Sequence, residues 1–133
     1  MTEPASFAFR LDGRSGVPVY RQLIDQVLGG MASGALPPGT QLPTVRQVAV
    51  DLAINPNTVL RAYRELEIRG VLTTQQGTGT FIAPQAVKVD EVERRRRLGQ
   101  LVGEFVARAG GAGFTVRELA EALQEIVAEG DRK

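Results

Sequence analysis

TVRQVAVDLAINPNTVLRAYRELEIRG, residues 44–70, decides the reading of this chain. Thr44 is a strong N-cap, and Gln47 stands three residues on, the capping-box spacing that opens a helix over 45–52 with Val48, Ala49 and Leu52 inward. Ala53-Ile54-Asn55 then makes a turn. Asn55 caps a second helix with Pro56 at its first position, a place where proline's missing N–H and fixed φ do no harm. This helix is predicted to run to about Arg69, before Gly70. Two short helices across a three-residue turn form a helix-turn-helix.

The two faces of the second helix separate by rotation. At about 100° per residue from Asn57, Val59, Ala62, Tyr63 and Leu66 fall at roughly 140–240°, whereas Arg61 and Arg64 lie within about 40° of Asn57. One stripe is apolar and the opposite one is polar and cationic, beginning at the helix N-terminus, the end such a motif inserts into a major groove. Asn pairs bidentately with adenine and Arg with guanine, and Thr reaches base edges or phosphate, so Asn57, Thr58 and Arg61 are candidate base readers. Arg64, a turn further back, is placed for a phosphate. The competing reading is a solvated face with Glu65 as the arginines' ion-pair partner. Ile68 interrupts the polar stripe.

Outward from this core, residues 18–33 read as an amphipathic helix with Pro18 at its first position, Gly34 just past its end, and Tyr20, Leu23, Ile24, Val27, Leu28 and Met31 on one face. Gly29 and Gly30 in its last turns mark either fraying or close packing. Phe7, Phe9 and Leu11 alternate with Ala8, Arg10 and Asp12, as in a short strand or extended arm with one buried edge. After Gly70, the β-prone segments 71–74 and 80–82 flank QQGTG, residues 75–79, whose glycines suit a hairpin loop. A hairpin after a helix-turn-helix is a wing.

Beyond Pro84 about 49 residues remain. Residues 90–109 read as a helix with Leu98, Leu101, Val102, Phe105, Val106 and Ala109 on one stripe. Thr115 and Glu118 form a second capping box, with Phe114 placed as a staple onto Leu119, and Leu119, Ala122, Leu123, Ile126 and Val127 continue an apolar face. An antiparallel pair of helices cannot enclose two such stripes by itself, so a second copy of the chain is expected to complete a bundle; the other reading folds the tail onto its own domain. The run Arg94–Arg97 is placed either to touch DNA flanks or to pair with Glu91 and Glu93.

Composition narrows the classes. The chain has 133 residues, 43% hydrophobic and 23% charged, with no histidine and no cysteine, which removes the commonest general base, thiol nucleophile and soft metal ligands. No phosphate-cradling loop occurs, and GTGTF lacks both a basic residue and a following helix. The reading is therefore not an enzyme, with no cofactor and no metal. No apolar run approaches the ~18 residues of a membrane span, and MTEPASFAFRLD lacks the features of a secretory signal, so a cytoplasmic protein is expected. Net charge is +1, and before Gln85 seven arginines stand against six carboxylates. Nucleic-acid binders usually carry a stronger basic footprint, so the DNA reading rests on where individual arginines point.

LPPGTQLPTVRQVAVDLAINPNTVLRAYRELEIRGVLTTQQGTGTFIA, with PVYRQLIDQVLGGMASGAL before it, resembles the GntR-family DNA-binding domain over roughly residues 17–84. PxG, LPxxR, NTVxRAYxEL and GxGTF occur in order and at the right spacing. The resemblance implies that Arg46, in LPTVR, contacts the DNA backbone or a groove edge, that Thr58 is the recognition-helix threonine, and that Gly77 and Gly79 form a wing tip entering the minor groove. Pro56 and Leu60 depart from it, standing where some members carry base-contacting arginines. The short tail is similar to the YtrA-type subfamily, whose two-helix tail serves dimerisation and whose members often control transport operons.

The expectation is thus a mainly α fold with a small β-hairpin wing: residues 1–84 a winged helix-turn-helix DNA-binding domain, with the helix-turn-helix at 44–69 and the wing at 71–82, and residues 85–133 a helical dimerisation segment. The DNA-contacting candidates are Thr44, Arg46, Asn57, Thr58, Arg61, Arg64, Gly77, Thr78, Gly79 and Thr80, and the dimerisation candidates Leu98, Leu101, Val102, Phe105, Val106, Leu119, Leu123, Ile126 and Val127. The function expected is that of a transcription regulator, a repressor, acting on double-stranded operator DNA as a homodimer. The alternatives are a small-molecule sensor with an effector site in the tail, and a winged helix used only for protein contacts.

Overall fold

The protein is described by a computed structural model over residues 7–84 and 90–131. The chain divides into two compact units, residues 1–85 and 86–133. The boundary expected after Pro84 abuts residues 85–89, which lie outside the described residues, as do the chain ends assigned to either domain.

The first unit holds α1 (Val19–Ser33), α2 (Val45–Leu52), α3 (Pro56–Ile68), β1 (Leu72–Gln75) and β2 (Gly79–Ile82). Helix α3 packs against α1, α2 and β1. Its inward residues Val59, Ala62, Tyr63 and Leu66 are buried, as the rotation predicts, and meet Leu23, Ile24 and Val27 of α1, Val48 and Ala49 of α2, and Leu72 and Ile82 of the hairpin in one core. Full burial of each large aliphatic side chain contributes about 1.5–3 kcal/mol, so this cluster is the main stabilising element of the unit.

Local chemistry sets the ends. Thr44 Oγ1 accepts the Gln47 N–H at 3.0 Å, and Asn55 Oδ1 accepts the Asn57 N–H at 2.8 Å. The intervening turn places Ala53 at φ 55°, ψ 48°, a left-handed conformation that an alanine adopts only under local strain; the Ile54 N–H returning to the Ala49 carbonyl at 3.0 Å holds it there. One end differs from expectation. Pro18 is the cap of α1 rather than its first helical residue, because its ψ of 146° is extended, and its carbonyl accepts the Gln22 N–H at 3.0 Å. The α1 stripe also ends early, since Met31 is 39% exposed.

The hairpin pairs Leu72 with Ile82 and Gln75 with Gly79, so the strands sit within a residue of the expected bounds and the loop shrinks to three residues, 76–78. The Thr78 N–H bonds the Gln75 carbonyl at 2.9 Å with Gly77 at φ +79°, the positive φ that a type II turn requires of its third residue. Residues 39–42 line the other edge of β2: Ile82 donates to the Thr40 carbonyl at 2.8 Å and Leu42 to the Thr80 carbonyl at 2.9 Å.

Residues 7–11 form no strand. They are an extended arm on the unit's own core, with Phe9 buried, Phe7 and Leu11 packed beside it, and the Phe7 and Phe9 rings edge to face at 5.0 Å. Its backbone is held by side-chain amides. Gln26 accepts from the Arg10 N–H at 2.8 Å and donates to the Arg10 carbonyl; Gln22 accepts from the Asp12 N–H at 2.8 Å and donates to the Asp12 carbonyl at 3.0 Å. Two glutamines one helical turn apart thus stand in for a neighbouring strand.

The second unit holds α4 (Glu91–Gly111) and α5 (Val116–Asp131). Asp90 caps α4, accepting the Val92 N–H at 3.2 Å, and α4 runs two residues past the expected end. The capping box of α5 is complete: Glu118 N–H donates to Thr115 Oγ1 at 3.2 Å and Thr115 N–H to Glu118 Oε1 at 3.0 Å. Phe114, placed as a staple, is still 55% exposed. No helix among the described residues is long and apolar enough to cross a membrane.

The two adjacent glycines of α1 differ in a way that is testable. A Cβ on Gly30 would lie 2.7 Å from Leu36 Cδ1 and 3.2 Å from Phe7 Cε1, with Leu36 fully buried and unable to yield; a Cβ on Gly29 would meet nothing within 4 Å. Gly29→Ala is therefore expected to stabilise the chain by about 1 kcal/mol through helix propensity. Gly30→Ala should lose that gain to overpacking and come out destabilised by roughly 1 kcal/mol. Thermal melts of the two variants check the ordering; equal shifts would remove the close contact at Gly30.

Candidate nucleic-acid interface

The outward face of α3 carries the residues that the rotation assigns to it. Asn57, Leu60, Arg61, Arg64, Glu65 and Ile68 line one shallow depression, and Asn57, Thr58 and Arg61 line a second with Val19, Tyr20 and Asn55. Asn57 and Arg61 belong to both. Ile68 is 82% exposed, so the interruption of the polar stripe is real. Thr44, Arg46 and the wing residues line neither depression; they are carried on other elements of the same unit.

The Glu65 pairing that the competing reading assigns to the α3 arginines does not form. Glu65 pairs with Arg69, at 3.2 Å across one helical turn, and not with Arg61 or Arg64. Among the described residues, Arg46 and Arg64 have no carboxylate partner and no side-chain hydrogen bond, and the side-chain amide of Asn57 is equally unengaged. Arg61 makes a different contact: its guanidinium carbon lies 3.7 Å from the centroid of the Tyr20 ring on α1. The angular reading of a single helix misses Tyr20 as a site residue, because the contact crosses between helices.

Hydroxyl bookkeeping separates the threonines. Thr44 Oγ1 uses a lone pair on the Gln47 N–H and keeps its proton to donate at the α2 N-terminus, beside Arg46. At the wing, Thr74 Oγ1 donates to Glu67 Oε2 at 2.9 Å, so in its 3.4 Å contact with Thr80 the proton comes from Thr80. Thr80 then has no proton for a phosphate oxygen while this relay holds. Thr78, at the exposed tip, has its hydroxyl free and its carbonyl accepts from Gln41 Nε2 at 3.1 Å, a cross-link between wing and residues 39–42 that sequence spacing does not suggest.

Gly79 sits at φ +138° with Gln41 Nε2 2.5 Å from where a Cβ would be, and Gly77 is open on all sides. Both positions require glycine for backbone reasons alone. On α4 the arginine run is largely paired: Arg96 with Glu93 at 2.8 Å, Arg97 with Glu93 at 3.3 Å and Arg95 with Glu91 at 3.9 Å. The hydrogen bond from Arg96 holds the Glu93 carboxyl below the usual carboxylate range. Groups of three or more acidic or other ligating side chains suited to a metal are absent among the described residues.

A family described as "Bacterial regulatory proteins, gntR family" matches residues 19–82, the span from the start of α1 to the end of the wing. The uncharacterized HTH-type transcriptional regulator YhcF of Bacillus subtilis is 38% identical over 84% of this chain and 91% of its own length. The HTH-type transcriptional repressor YtrA of the same organism is 34% identical over 90% of this chain and 92% of its own. Among solved structures, YtrA from Sulfolobus acidocaldarius, a GntR-family transcription factor, superposes with a TM-score of 0.55 at 29% identity, covering 76% of this chain and 99% of that one. The chain belongs to the GntR family of bacterial regulatory proteins, as a DNA-binding transcription regulator of the YtrA type.

Proposed function

We propose that the protein is a repressor that binds a two-fold-symmetric operator as a homodimer, with α3 in the major groove and the wing in the minor groove. The observation that carries this reading is the uncompensated face of α3, where Asn57, Arg61 and Arg64 are outward and no carboxylate of the described residues neutralises either arginine. Asn57 and Arg61, nearest the N-terminus, read bases, with Thr58 beside them at a base edge or phosphate; Arg64, Arg46 and the Thr44 hydroxyl meet phosphates. Repression is supported by the likeness to YtrA of Bacillus subtilis, which is named a repressor.

Dimerisation is proposed for the second unit because its apolar stripes are uncovered. Leu98, Leu101, Val102, Phe105, Leu123, Ile126 and Val127 are all about half exposed or more, and Val106 and Leu119 only partly buried. A patch of this kind marks an interaction surface, and a second copy offers the same two stripes in a self-complementary, two-fold arrangement. The symmetry of the protein would then set that of the operator.

Four expectations follow for the full chain. Sedimentation should show a dimer, and Leu101→Glu with Phe105→Glu, placing charges at two exposed apolar sites of α4, should yield a folded monomer; an unchanged dimer would assign the contact elsewhere. On a selected operator, Asn57→Ala or Arg61→Ala should lose about 1–3 kcal/mol and relax preference at particular base pairs. Arg46→Ala should weaken operator and random duplex alike and make the salt dependence shallower by about one unit; competition titration across salt concentrations separates these behaviours, and a reversed pattern would exchange the roles. For the wing, replacing Gly77 or Gly79 by a bulky residue strains a positive φ, so Thr78→Glu is the cleaner variant: a carboxylate at the tip should cost roughly tenfold in affinity through phosphate repulsion, and undiminished binding would take the wing out of the interface.

A further inference from the structure

The stack of Arg61 on Tyr20 has a bearing on how DNA sequence is read. Tyr20 is half-buried in the first turn of α1 and packs against the core, which restricts the orientations open to its ring. The Arg61 guanidinium lies over its face at 3.7 Å, a distance at which ring quadrupole and cation attract. Stacking engages the face of the guanidinium and leaves its N–H donors in the plane, pointing outward around the edge. Among the described residues no carboxylate or carbonyl takes those donors. The same shallow depression contains Asn57 and Thr58, so the free edge is presented next to the two other candidate readers.

A guanine offers its O6 and N7 to such an edge, and the bidentate pair forms in the guanidinium plane. Stack and base pairing therefore use different surfaces of one group and are compatible. An unstacked arginine has many rotamers to lose on binding, and part of that loss is already taken in the free protein. We infer that Tyr20 is a specificity-determining positioning residue: its ring holds the Arg61 guanidinium edge-outward, pre-set for one guanine of the operator. The inference rests on Arg61 as a base reader.

The test uses the full chain and a duplex selected by the wild-type protein from a random pool, with each base pair then varied in turn. Arg61→Ala should flatten the preference at one G·C pair. Tyr20→Leu should lower affinity for the selected duplex by roughly threefold to tenfold, the range a partly exposed cation–π contact supports, and reduce discrimination at that same pair while binding to random duplex holds. Tyr20→Phe should behave as wild type, and Tyr20→Leu should add nothing in the Arg61→Ala background. In the free protein, Arg61 side-chain proton resonances should be shifted upfield by the ring current and return on removal of the ring; Tyr20→Met serves if the leucine variant does not fold. Tighter binding by Tyr20→Leu, an equal loss on every duplex, the same loss without Arg61, or no ring-current shift would overturn the inference. If Arg61→Ala leaves base preference intact, the base-reading assignment falls and this inference with it; if Arg61→Ala flattens the preference and Tyr20→Leu is silent, only the role of Tyr20 falls.

Discussion

Burial of one stripe of α3 is the constraint from which the rest of the first unit takes its arrangement. Val59, Ala62, Tyr63 and Leu66 are covered by α1, α2 and the hairpin, and a helix fixed by its inner face has no rotational freedom left for its outer one. Tyr63 adds a polar restraint: its buried phenol donates to the Pro43 carbonyl at 2.6 Å, and desolvation pushes its ionisation up, so the proton stays in place. That bond ties α3 to the residue just before the Thr44 cap. The start of α2 and the outward stripe of α3 are thereby positioned by one core.

Charge in this molecule is sorted rather than accumulated. The overall balance is close to neutral, yet carboxylates are placed so that some arginines are matched and others are not. Glu65 is occupied by Arg69, and Glu91 and Glu93 occupy Arg95, Arg96 and Arg97, all across one helical turn on exposed surface, where such pairs stabilise little. They take up Arg69 and three arginines of α4, and leave Arg46, Arg61 and Arg64 unneutralised on α2 and α3, as Arg10, Arg14, Arg21, Arg94, Arg108 and Arg117 are elsewhere among the described residues.

Most of the helical frame was legible because the signals are local. The Thr44, Asn55 and Thr115 caps, the Pro56 start and the 3.6-residue stripes each act within a few residues, and these caps form as the spacing requires. What escaped was set by contacts between elements. The Arg61–Tyr20 stack, the Gln41 link to the wing and the Gln22 and Gln26 clamps all join residues far apart in sequence, and no periodicity encodes them. The arm at residues 7–11 shows the distinction within one segment: alternation found its buried edge and left strand or extended arm open, and the backbone partners that a neighbouring strand would offer are supplied by helix side chains. Gly30 is intermediate, since two glycines near a helix end signal either looseness or contact, and only the returning chain at Leu36 decides.

Those glutamine clamps have a consequence for how the sequence can drift over evolutionary time. Gln22 and Gln26 grip main-chain atoms of Asp12 and Arg10, which every residue but proline supplies in the same form. Ala8 and Arg10 point outward and are exposed, so natural variation there leaves the seat of the arm untouched. The arm is anchored by a rule blind to side-chain identity at those positions. Its outer surface is therefore free to diversify among descendants while the fold beneath it is inherited unchanged.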